Sequence, residues 1–161
     1  MIDYAAHEAK TKILGFYALH PQAKLPMKQT QGAACFDIHA CSDDLIALAP
    51  GERALIPTGL IFDIPKDHSV RIHTRSSWAG VKGIGMSVTE GIIDYDYVEE
   101  VFVPMVNNTD KLFHIHSGER IAQIELVKTI ATINTWIDDR PAKRGNRDGG
   151  FGSTDNVKGS E

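Results

Sequence analysis

Apolar and polar residues alternate along the chain in short runs rather than at helical spacing. Seven of these runs are rich in branched and aromatic residues, which favour the pleated, half-buried surface of a β-strand. They cover residues 13–19, 54–56, 60–64, 70–74, 101–106, 112–115 and 121–127. We therefore expect a fold built from many short strands.

Glycine and proline separate these runs at short intervals, as at Pro50-Gly51, Gly59 and Pro104. No long stretch places apolar residues every three or four positions, so the pattern predicts no amphipathic helix. The best helix candidate is one or two turns over residues 76–80, with Ser76 as the N-cap. Short strands with frequent turns are typical of an all-β sandwich or barrel.

The composition is that of one ordinary globular domain. The chain has 161 residues, of which 42% are hydrophobic and 24% are charged. This size permits a core without disulfides or a metal. The 17 Lys and Arg against 21 Asp and Glu give a net charge of −4, which disfavours a nucleic-acid partner. A small anionic ligand is compatible with this charge, because a few arginines suffice to hold it.

Two cysteines, Cys35 and Cys41, exclude a disulfide framework and a four-cysteine zinc site. We expect both thiols to be reduced and buried, as is usual in cytosolic proteins. No apolar run approaches the roughly 20 residues of a membrane span. The N-terminal residues lack the apolar core of a signal peptide. These features indicate a cytoplasmic protein with no membrane partner.

The last part of the sequence differs from the rest. Residues 140–161 contain five glycines and five basic residues, and their large apolar side chains are Phe151 and Val157. Such a segment cannot bury enough surface to fold alone. It is either a disordered end or a mobile arm that becomes ordered over a ligand.

Two segments carry residue types suited to phosphate chemistry. Arg75-Ser76-Ser77 lies between a predicted strand and the predicted helical turn, where backbone N–H groups, a guanidinium and two hydroxyls can hold an anion. Asp94 and Asp96 are two residues apart, which on a strand puts both on one face. A carboxylate beside a phosphate site can activate water as a general base. Ordinary turns without a functional role also contain Asp and Ser residues of this kind, and this interpretation stays open for both segments.

Two further segments add polar groups. Arg120 and Gln123 follow Gly118 at the start of a predicted strand, where exposed positions are the default. Residues 149–154 combine glycines, which let a backbone approach a phosphate, with Phe151, whose ring can stack on a base. His114 and His116 share a strand face, but no third metal ligand is near them in the sequence.

Taken in order, five segments resemble the five motifs of the trimeric dUTP pyrophosphatases (dUTPases). They are Ala34-Cys35-Phe36-Asp37-Ile38, Arg75-Ser76-Ser77-Trp78-Ala79, Gly91-Ile92-Ile93-Asp94-Tyr95-Asp96-Tyr97, Gly118-Glu119-Arg120-Ile121-Ala122-Gln123 and Gly150-Phe151-Gly152-Ser153-Thr154. The resemblance implies an all-β, jelly-roll-like distorted barrel with a flexible C-terminal arm, in a homotrimer with active sites between subunits. We accordingly expect a β domain over residues 1–140 and a glycine-rich arm over residues 141–161 that closes over the active site.

The resemblance also implies a reaction. dUTP is hydrolysed to dUMP and pyrophosphate, which keeps uracil out of DNA and supplies dUMP for thymidylate synthesis. Asp94 orients and deprotonates the water that attacks the α-phosphorus. Mg²⁺ binds mainly the three phosphates, and Asp37 reaches its water ligands.

The resemblance assigns substrate-binding roles to residues of four motifs and of the segment before the third. Arg75, Ser76 and Ser77 hold the phosphate chain, and Gln123 reaches it from a neighbouring subunit. Tyr97 packs against the deoxyribose, and Phe151 caps the uracil. The other expected substrate contacts are Val88, Gly91, Ile93, Gly152, Ser153, Thr154 and a guanidinium supplied by Arg144 or Arg147.

The choice of base has a physical explanation. Uracil presents an acceptor, a donor and an acceptor on its pairing edge, and backbone groups near residues 88–93 can supply the complement. Cytosine would leave a donor facing a donor, which costs desolvation. The methyl group of thymine would clash in a close-fitting hairpin.

Two other functions stay open beside dUTP hydrolysis. A dCTP deaminase shares the fold and an Arg-Ser-Ser-like motif, but the carboxylate that it needs near Pro104 is missing. A nucleotide-binding regulatory protein that has lost turnover is the second alternative. The departures from the family pattern at Tyr95, Glu99 and Asp155 favour this alternative, and Glu99 stands where the family usually has glycine. A regulatory protein partner beside catalysis also stays open.

Overall fold

The computed structural model describes residues 11–143, which contain eleven short strands and one helical turn. The strands are β1 (Gly15–Ala18), β2 (Phe36–His39), β3 (Ile46–Leu48), β4 (Arg53–Pro57), β5 (Leu60–Asp63), β6 (His68–Thr74), β7 (Ile84–Met86), β8 (Gly91–Asp94), β9 (Phe102–Asn107), β10 (Phe113–Ile115) and β11 (Arg120–Lys128). The helical turn, Trp78–Lys82, has π-helical geometry.

All seven predicted strands are present, as β1, β4, β5, β6, β9, β10 and β11. The other four strands have three or four residues each. The sequence pattern did not identify them, although β1, β5 and β10 are equally short and were predicted.

The strands form four small antiparallel sheets in the described part of the chain. Their strand orders are β2-β11-β6-β8, β4-β9-β7, β1-β5 and β3-β10. One hydrophobic cluster joins residues of the two larger sheets, including Ile38 and Ile124 from the first and Ile56 and Met105 from the second. The all-β, jelly-roll-like prediction is confirmed, although the described strands do not close into a barrel.

The four-stranded sheet has one apolar face and one polar face. Ile38, Ile72 and Ile124 are completely or almost completely buried on the apolar face. The register pairs Ile124 with both Phe36 and Ile72, and it pairs Gln123 with both Asp37 and His73. Because side chains alternate along a strand, the polar residues share the opposite face. This face carries the candidate site.

The turn after β4 needs a glycine. Gly59 has a φ of +66°, and a Cβ added there would lie 2.9 Å from the Sγ of Cys41.

Both cysteines are free thiols, but only Cys41 is buried and Cys35 is half-buried, so the prediction of two buried thiols was wrong for Cys35. Burial raises the pKa of both thiols, which keeps them protonated and weakly nucleophilic at neutral pH.

The chain separates into two compact units after Ala131. The first unit holds every described strand, and the described part of the second, residues 132–143, has no helix or strand. The prediction of a C-terminal arm over residues 141–161 stays a prediction, because residues 144–161 lie outside the described chain. Within residues 11–143, no helix has the length and apolar character needed to cross a membrane.

Asn107 ties the end of β9 to two other segments. Its side chain is completely buried. The Nδ2 donates to the carbonyl oxygens of Leu48 at 2.8 Å and Lys111 at 2.7 Å. The Oδ1 accepts from the backbone N–H of Thr109 at 2.9 Å. Every polar atom of the side chain is therefore satisfied inside the protein.

We predict that Asn107→Ala lowers the free energy of unfolding by about 2–4 kcal/mol, because it leaves several buried polar groups without partners. Asn108→Ala is the matched control, since Asn108 is exposed, and we expect a change within about 0.5 kcal/mol. Urea unfolding followed by circular dichroism measures both. Equal stability of the two variants would show that the Asn107 hydrogen bonds contribute little.

Candidate functional site

A β-bulge shapes the start of β11. Between Arg120 and Ala122 the register with β2 shifts, so that His39 pairs with Arg120 and Ile38 with Ala122. Arg120 and Gln123 are three residues apart and would point to opposite faces of a regular strand. The extra residue in the bulge brings both side chains to the same face, where both contact Asp37.

Asp37 is the centre of a cluster that joins three of the sequence motifs. Its side chain is 2% exposed. The Oδ2 accepts from Nη1 of Arg120 at 3.0 Å, and the Oδ1 accepts from Nε2 of Gln123 at 3.1 Å. The Nε of Arg75 lies 3.4 Å from Oδ1. The carboxylate is thus surrounded by nitrogen donors, an environment that differs from the predicted contact with the water ligands of Mg²⁺.

The second motif begins where β6 ends. The carbonyl of Arg75 accepts from the backbone N–H groups of Trp78 and Ala79 at 3.0 and 3.1 Å, which closes the first helical turn. Ser77, not the predicted Ser76, takes the N-cap position, and its side chain makes no capping hydrogen bond. Ser76 and Ser77 are exposed, so both hydroxyls are accessible to a ligand.

A cavity of about 500 Å³ lies beside this cluster. Four cationic side chains, Lys24, Arg75, Lys82 and Arg120, line it together with one carboxylate, that of Glu119. Glu119 accepts a hydrogen bond from the backbone N–H of His116 at 3.0 Å. A chain with a net charge of −4 therefore concentrates positive charge at one concave surface, which attracts anions.

His39 also lines the cavity. Burial, followed by the neighbouring Lys24 charge, lowers the pKa of His39. Its Nδ1 is buried without a hydrogen-bond partner among the described residues. The imidazole is therefore neutral at physiological pH, and the positive charge of the cavity comes from lysine and arginine.

The third motif lies in a different environment. The motif begins with β8, and the strand before it is β7. These two strands belong to different sheets, and each lies at an edge of its sheet. Residues 87–90 connect them, and Ser87 donates a backbone hydrogen bond to Pro104 at 2.8 Å. Val88 is exposed, while Gly91 and Ile93 are half-buried. Two neighbouring edge strands leave backbone donors and acceptors unpaired within this part of the chain.

The residues after β8 form a turn and not a longer strand. The carbonyl of Asp94 accepts from the backbone N–H of Tyr97 at 3.1 Å, which closes the turn around Tyr95 and Asp96. The prediction that Asp94 and Asp96 share a strand face was therefore wrong. The hydroxyl of Tyr97 donates to the carbonyl of Glu100 at 2.9 Å. Glu99 does not have a positive φ, so its side chain causes no strain at a position where the family usually has glycine.

Asp94 lies far from the Asp37 cluster within one chain. The register pairs Asp94 with Ser69, which is six residues before Arg75 on β6. At about 3.3 Å per residue this corresponds to roughly 20 Å along the strand.

Gln123, in contrast to Asp94, belongs to the Asp37 cluster, where it contacts the same carboxylate as Arg75. The structure therefore groups Gln123 with Arg75 in the same chain, whereas the expectation of a Gln123 supplied by a neighbouring subunit stays a prediction.

Several predicted residues lie outside the described residues: Arg144, Arg147, Phe151, Gly152, Ser153 and Thr154. Sequence reasoning also missed residues that the structure places at the site. The sequence predicts an exposed strand start for Arg120, and Lys24 and Lys82 belong to loop and helical-turn segments with no phosphate-binding motif. Their only signal in the sequence is positive charge, which does not show that distant segments meet.

Comparison with known proteins identifies the family. The family model described as dUTPase matches residues 21–155. A deoxyuridine 5'-triphosphate nucleotidohydrolase from Leptospira interrogans is 40% identical over 139 residues, which cover 84% of this chain and 94% of the relative. A protein of the same name from Roseobacter denitrificans is 43% identical over 131 residues, covering 81% and 86%.

Solved structures show the same fold. The dUTPase from Streptococcus mutans has a TM-score of 0.68 at 25% identity and covers 74% of this chain and 99% of its own. A Staphylococcus bacteriophage 80alpha dUTPase with dUPNHPP has a TM-score of 0.79 at 21% identity, covering 89% and 98%. The dUTPase from phage phi11 of S. aureus, described with a structural Mg(II) ion, has a TM-score of 0.71 at 19% identity, covering 80% and 98%.

The names of the curated relatives describe an enzyme that hydrolyses dUTP, which supports neither a dCTP deaminase nor a binding protein without turnover. The order of the motifs, the fold and the arginine-rich cluster agree with that activity. The chain is therefore a dUTP-hydrolysing enzyme, and it belongs to the dUTPase family.

Proposed function

We propose that the protein acts as a homotrimer on magnesium-bound dUTP, with each active site assembled from neighbouring copies. In each site, Arg75, Ser76, Ser77 and Gln123 of one copy bind the phosphate chain. Asp94 of another copy activates the attacking water. The Asp94 carboxylate is exposed, so a second copy can approach it.

The distance between Asp94 and the Asp37 cluster carries this proposal. A general base must lie within hydrogen-bonding reach of the proton that it removes, directly or through one water. Asp94 and Arg75 are separated by roughly 20 Å along β6 through the pairing of Asp94 with Ser69. One copy therefore cannot present both groups to the same phosphate chain, and a symmetric assembly supplies the missing half.

The reaction is a displacement at the α-phosphorus. Asp94 accepts a proton from the water as the water oxygen forms a bond to phosphorus. The bond from the α-phosphorus to the bridging oxygen breaks, and pyrophosphate leaves with the electron pair. Positioning and electrostatic stabilisation supply the catalysis, as is general for phosphoryl transfer.

Mg²⁺ enters this proposal with the nucleotide. Among the described residues, no group of three or more His, Cys, Asp or Glu side chains is placed to hold a metal ion. Mg²⁺ commonly binds substrate phosphates and keeps several water ligands. The proposal therefore takes Mg²⁺ as an ion carried by the triphosphate.

In this proposal, the segment between β7 and β8 recognises uracil. These strands pair with β9 and β6 respectively and not with each other, so backbone groups of the connecting residues 88–90 are available to a base. Tyr97 follows on the next turn, where its ring can exclude a 2′-hydroxyl. The phenol is held by its hydrogen bond to Glu100, which gives the ring a defined orientation.

In the cell, the activity removes dUTP from the precursors of DNA and supplies dUMP for thymidylate synthesis. We place the protein in the cytoplasm, where these nucleotides are made and used. Residues 144–161 include the glycine-rich motif, for which we keep the role of an arm that closes over the bound nucleotide.

We predict that Asp94→Asn lowers kcat about 10²–10⁴-fold while dUTP binding changes little, because only the proton acceptor is lost. Asp96→Asn is the matched control, since Asp96 is an exposed neighbour in the same turn and should keep nearly full kcat. Pyrophosphate release and analogue binding measure the two effects. Near-normal turnover of Asp94→Asn would remove Asp94 from the role of general base.

We also predict that two inactive variants restore activity when their chains are mixed. One variant is Asp94→Asn and the other is Ser76→Ala/Gln123→Ala, so each damages a different half of the site. In randomly mixed trimers about one quarter of the sites combine two unaltered halves, and activity should approach that fraction of wild type. The measurement is pyrophosphate release after the chains are co-refolded, with native mass spectrometry to confirm mixing.

The mixing experiment is decisive in both directions. If each copy formed a complete site by itself, no intact site would arise and the mixture would stay at the level of the separate variants. Recovered activity would require sites shared between copies.

The substrate is tested with dUTP, dCTP, dTTP and UTP in the presence of Mg²⁺. We expect rapid pyrophosphate release from dUTP alone, because the other three change the pairing edge, the 5-position or the sugar. Comparable release from UTP would contradict the role of Tyr97, and comparable release from dCTP would contradict backbone recognition of uracil.

A further inference from the structure

Three motifs converge on one buried carboxylate. The carboxylate of Asp37 on β2 accepts hydrogen bonds from Nη1 of Arg120 at 3.0 Å and from Nε2 of Gln123 at 3.1 Å, and both donors lie on β11. The Nε of Arg75, at the end of β6, lies 3.4 Å away. Two of these three donors, Arg75 and Gln123, are the groups that bind the phosphate chain in the proposed function.

The environment of Asp37 does not fit a ligand for the water shell of Mg²⁺. A carboxylate offers about four acceptor positions, and three nitrogen donors already approach the two oxygens. Two of the donors carry positive charge, which opposes a divalent cation at the same place. The side chain is also 2% exposed, so little of it is accessible to a hydrated ion.

The cluster leaves other donors of the same side chains for a ligand. Arg75 uses Nε toward Asp37 and Nη1 toward the carbonyl of Arg120 at 2.8 Å. Its Nη2 makes no hydrogen bond to another described residue. Gln123 uses one of the two N–H bonds of its amide group and keeps the second. Arg75 and Arg120 both line the cationic cavity, where an anion can meet the remaining donors of these two arginines.

Burial makes such a contact effective. Charge-assisted hydrogen bonds are shorter and stronger than neutral ones, and a low local dielectric strengthens them further. A long side chain that is fixed before the ligand arrives loses less conformational freedom on binding. Arg75 shows this restriction, since its side chain is only 18% exposed.

We propose that Asp37 is a positioning residue, a buried carboxylate that orients Arg75 and Gln123 toward the phosphate chain, and not a ligand of the magnesium ion. This inference rests on the proposed phosphate-binding roles of Arg75 and Gln123. It assigns to the first motif a task that is independent of the metal.

The test is the affinity for dUpNHpp, an imido analogue of dUTP, measured by calorimetry with Mg²⁺ and again with EDTA. We expect Asp37→Asn to weaken binding about tenfold to a hundredfold, as for lost hydrogen bonds to a charged group, and by the same factor in both conditions. Deoxyuridine, which has no phosphate, should bind as to wild type. A general loss of structure would weaken both ligands.

A loss of affinity that appears only with Mg²⁺ would overturn the inference, because it would show that Asp37 acts through the ion. Unchanged affinity in both conditions would overturn it as well. Asp43→Asn is the matched control, since the Asp43 side chain is 76% exposed. If Asp37→Asn does not fold, Asp37→Asn/Arg120→Gln replaces it, with Arg120→Gln as its reference, because this pair removes an opposing charge together with the carboxylate.

Gln123→Ala and Arg75→Ala separate this inference from the proposed function. If both variants bind dUpNHpp as wild type does, the proposed phosphate site is wrong. If both weaken binding and Asp37→Asn does not, the phosphate site stands and the positioning role of Asp37 fails.

Discussion

The candidate site depends on one buried carboxylate. Asp37 holds two guanidinium groups and one amide within hydrogen-bonding or ion-pairing distance, and these groups come from segments up to 86 residues away from Asp37 in sequence. Removing a charge from a buried cluster is costly, because the remaining charges lose their partner in a low-dielectric environment. The same contact that joins β2, β6 and β11 therefore also holds Arg75 and Gln123, the side chains proposed to bind the phosphate chain.

Strand register sets the limits of what one chain can do. The antiparallel pairing of β6 and β8 places Asp94 opposite Ser69, at the end of β6 away from Arg75. No side-chain rotation closes a gap of roughly 20 Å. Under the roles proposed for Asp94 and Arg75, a second copy has to supply one of the two groups, and assembly is then part of the proposed catalytic mechanism and not only a source of stability.

Much of the fold could be predicted from the sequence. Many residues of the candidate site could also be identified, but their positions relative to one another could not be predicted. β6 and β11 are the two longest strands, and they were predicted within two residues, whereas the pattern did not identify β2 and β8. The segment Gly91 to Tyr97 was identified as important, but a strand and an Asp-rich turn both stayed open for it, because the pattern does not show where a strand ends. The place of Arg120 in the Asp37 cluster was not predicted, because it depends on a bulge that brings the Arg120 side chain to the same face of the strand as Gln123.

The sequence by itself determined the class of fold, the residue types available for phosphate chemistry and, through the order of its motifs, the family. Local alternation, turn residues and short motifs are properties of neighbouring positions, and they are readable without a structure. The tertiary structure alone decided that Asp37 faces three nitrogen donors, that Gln123 joins Arg75 in one chain and that Asp94 lies apart from both. Those relations depend on register and on burial, which arise only when distant strands pair and exclude water.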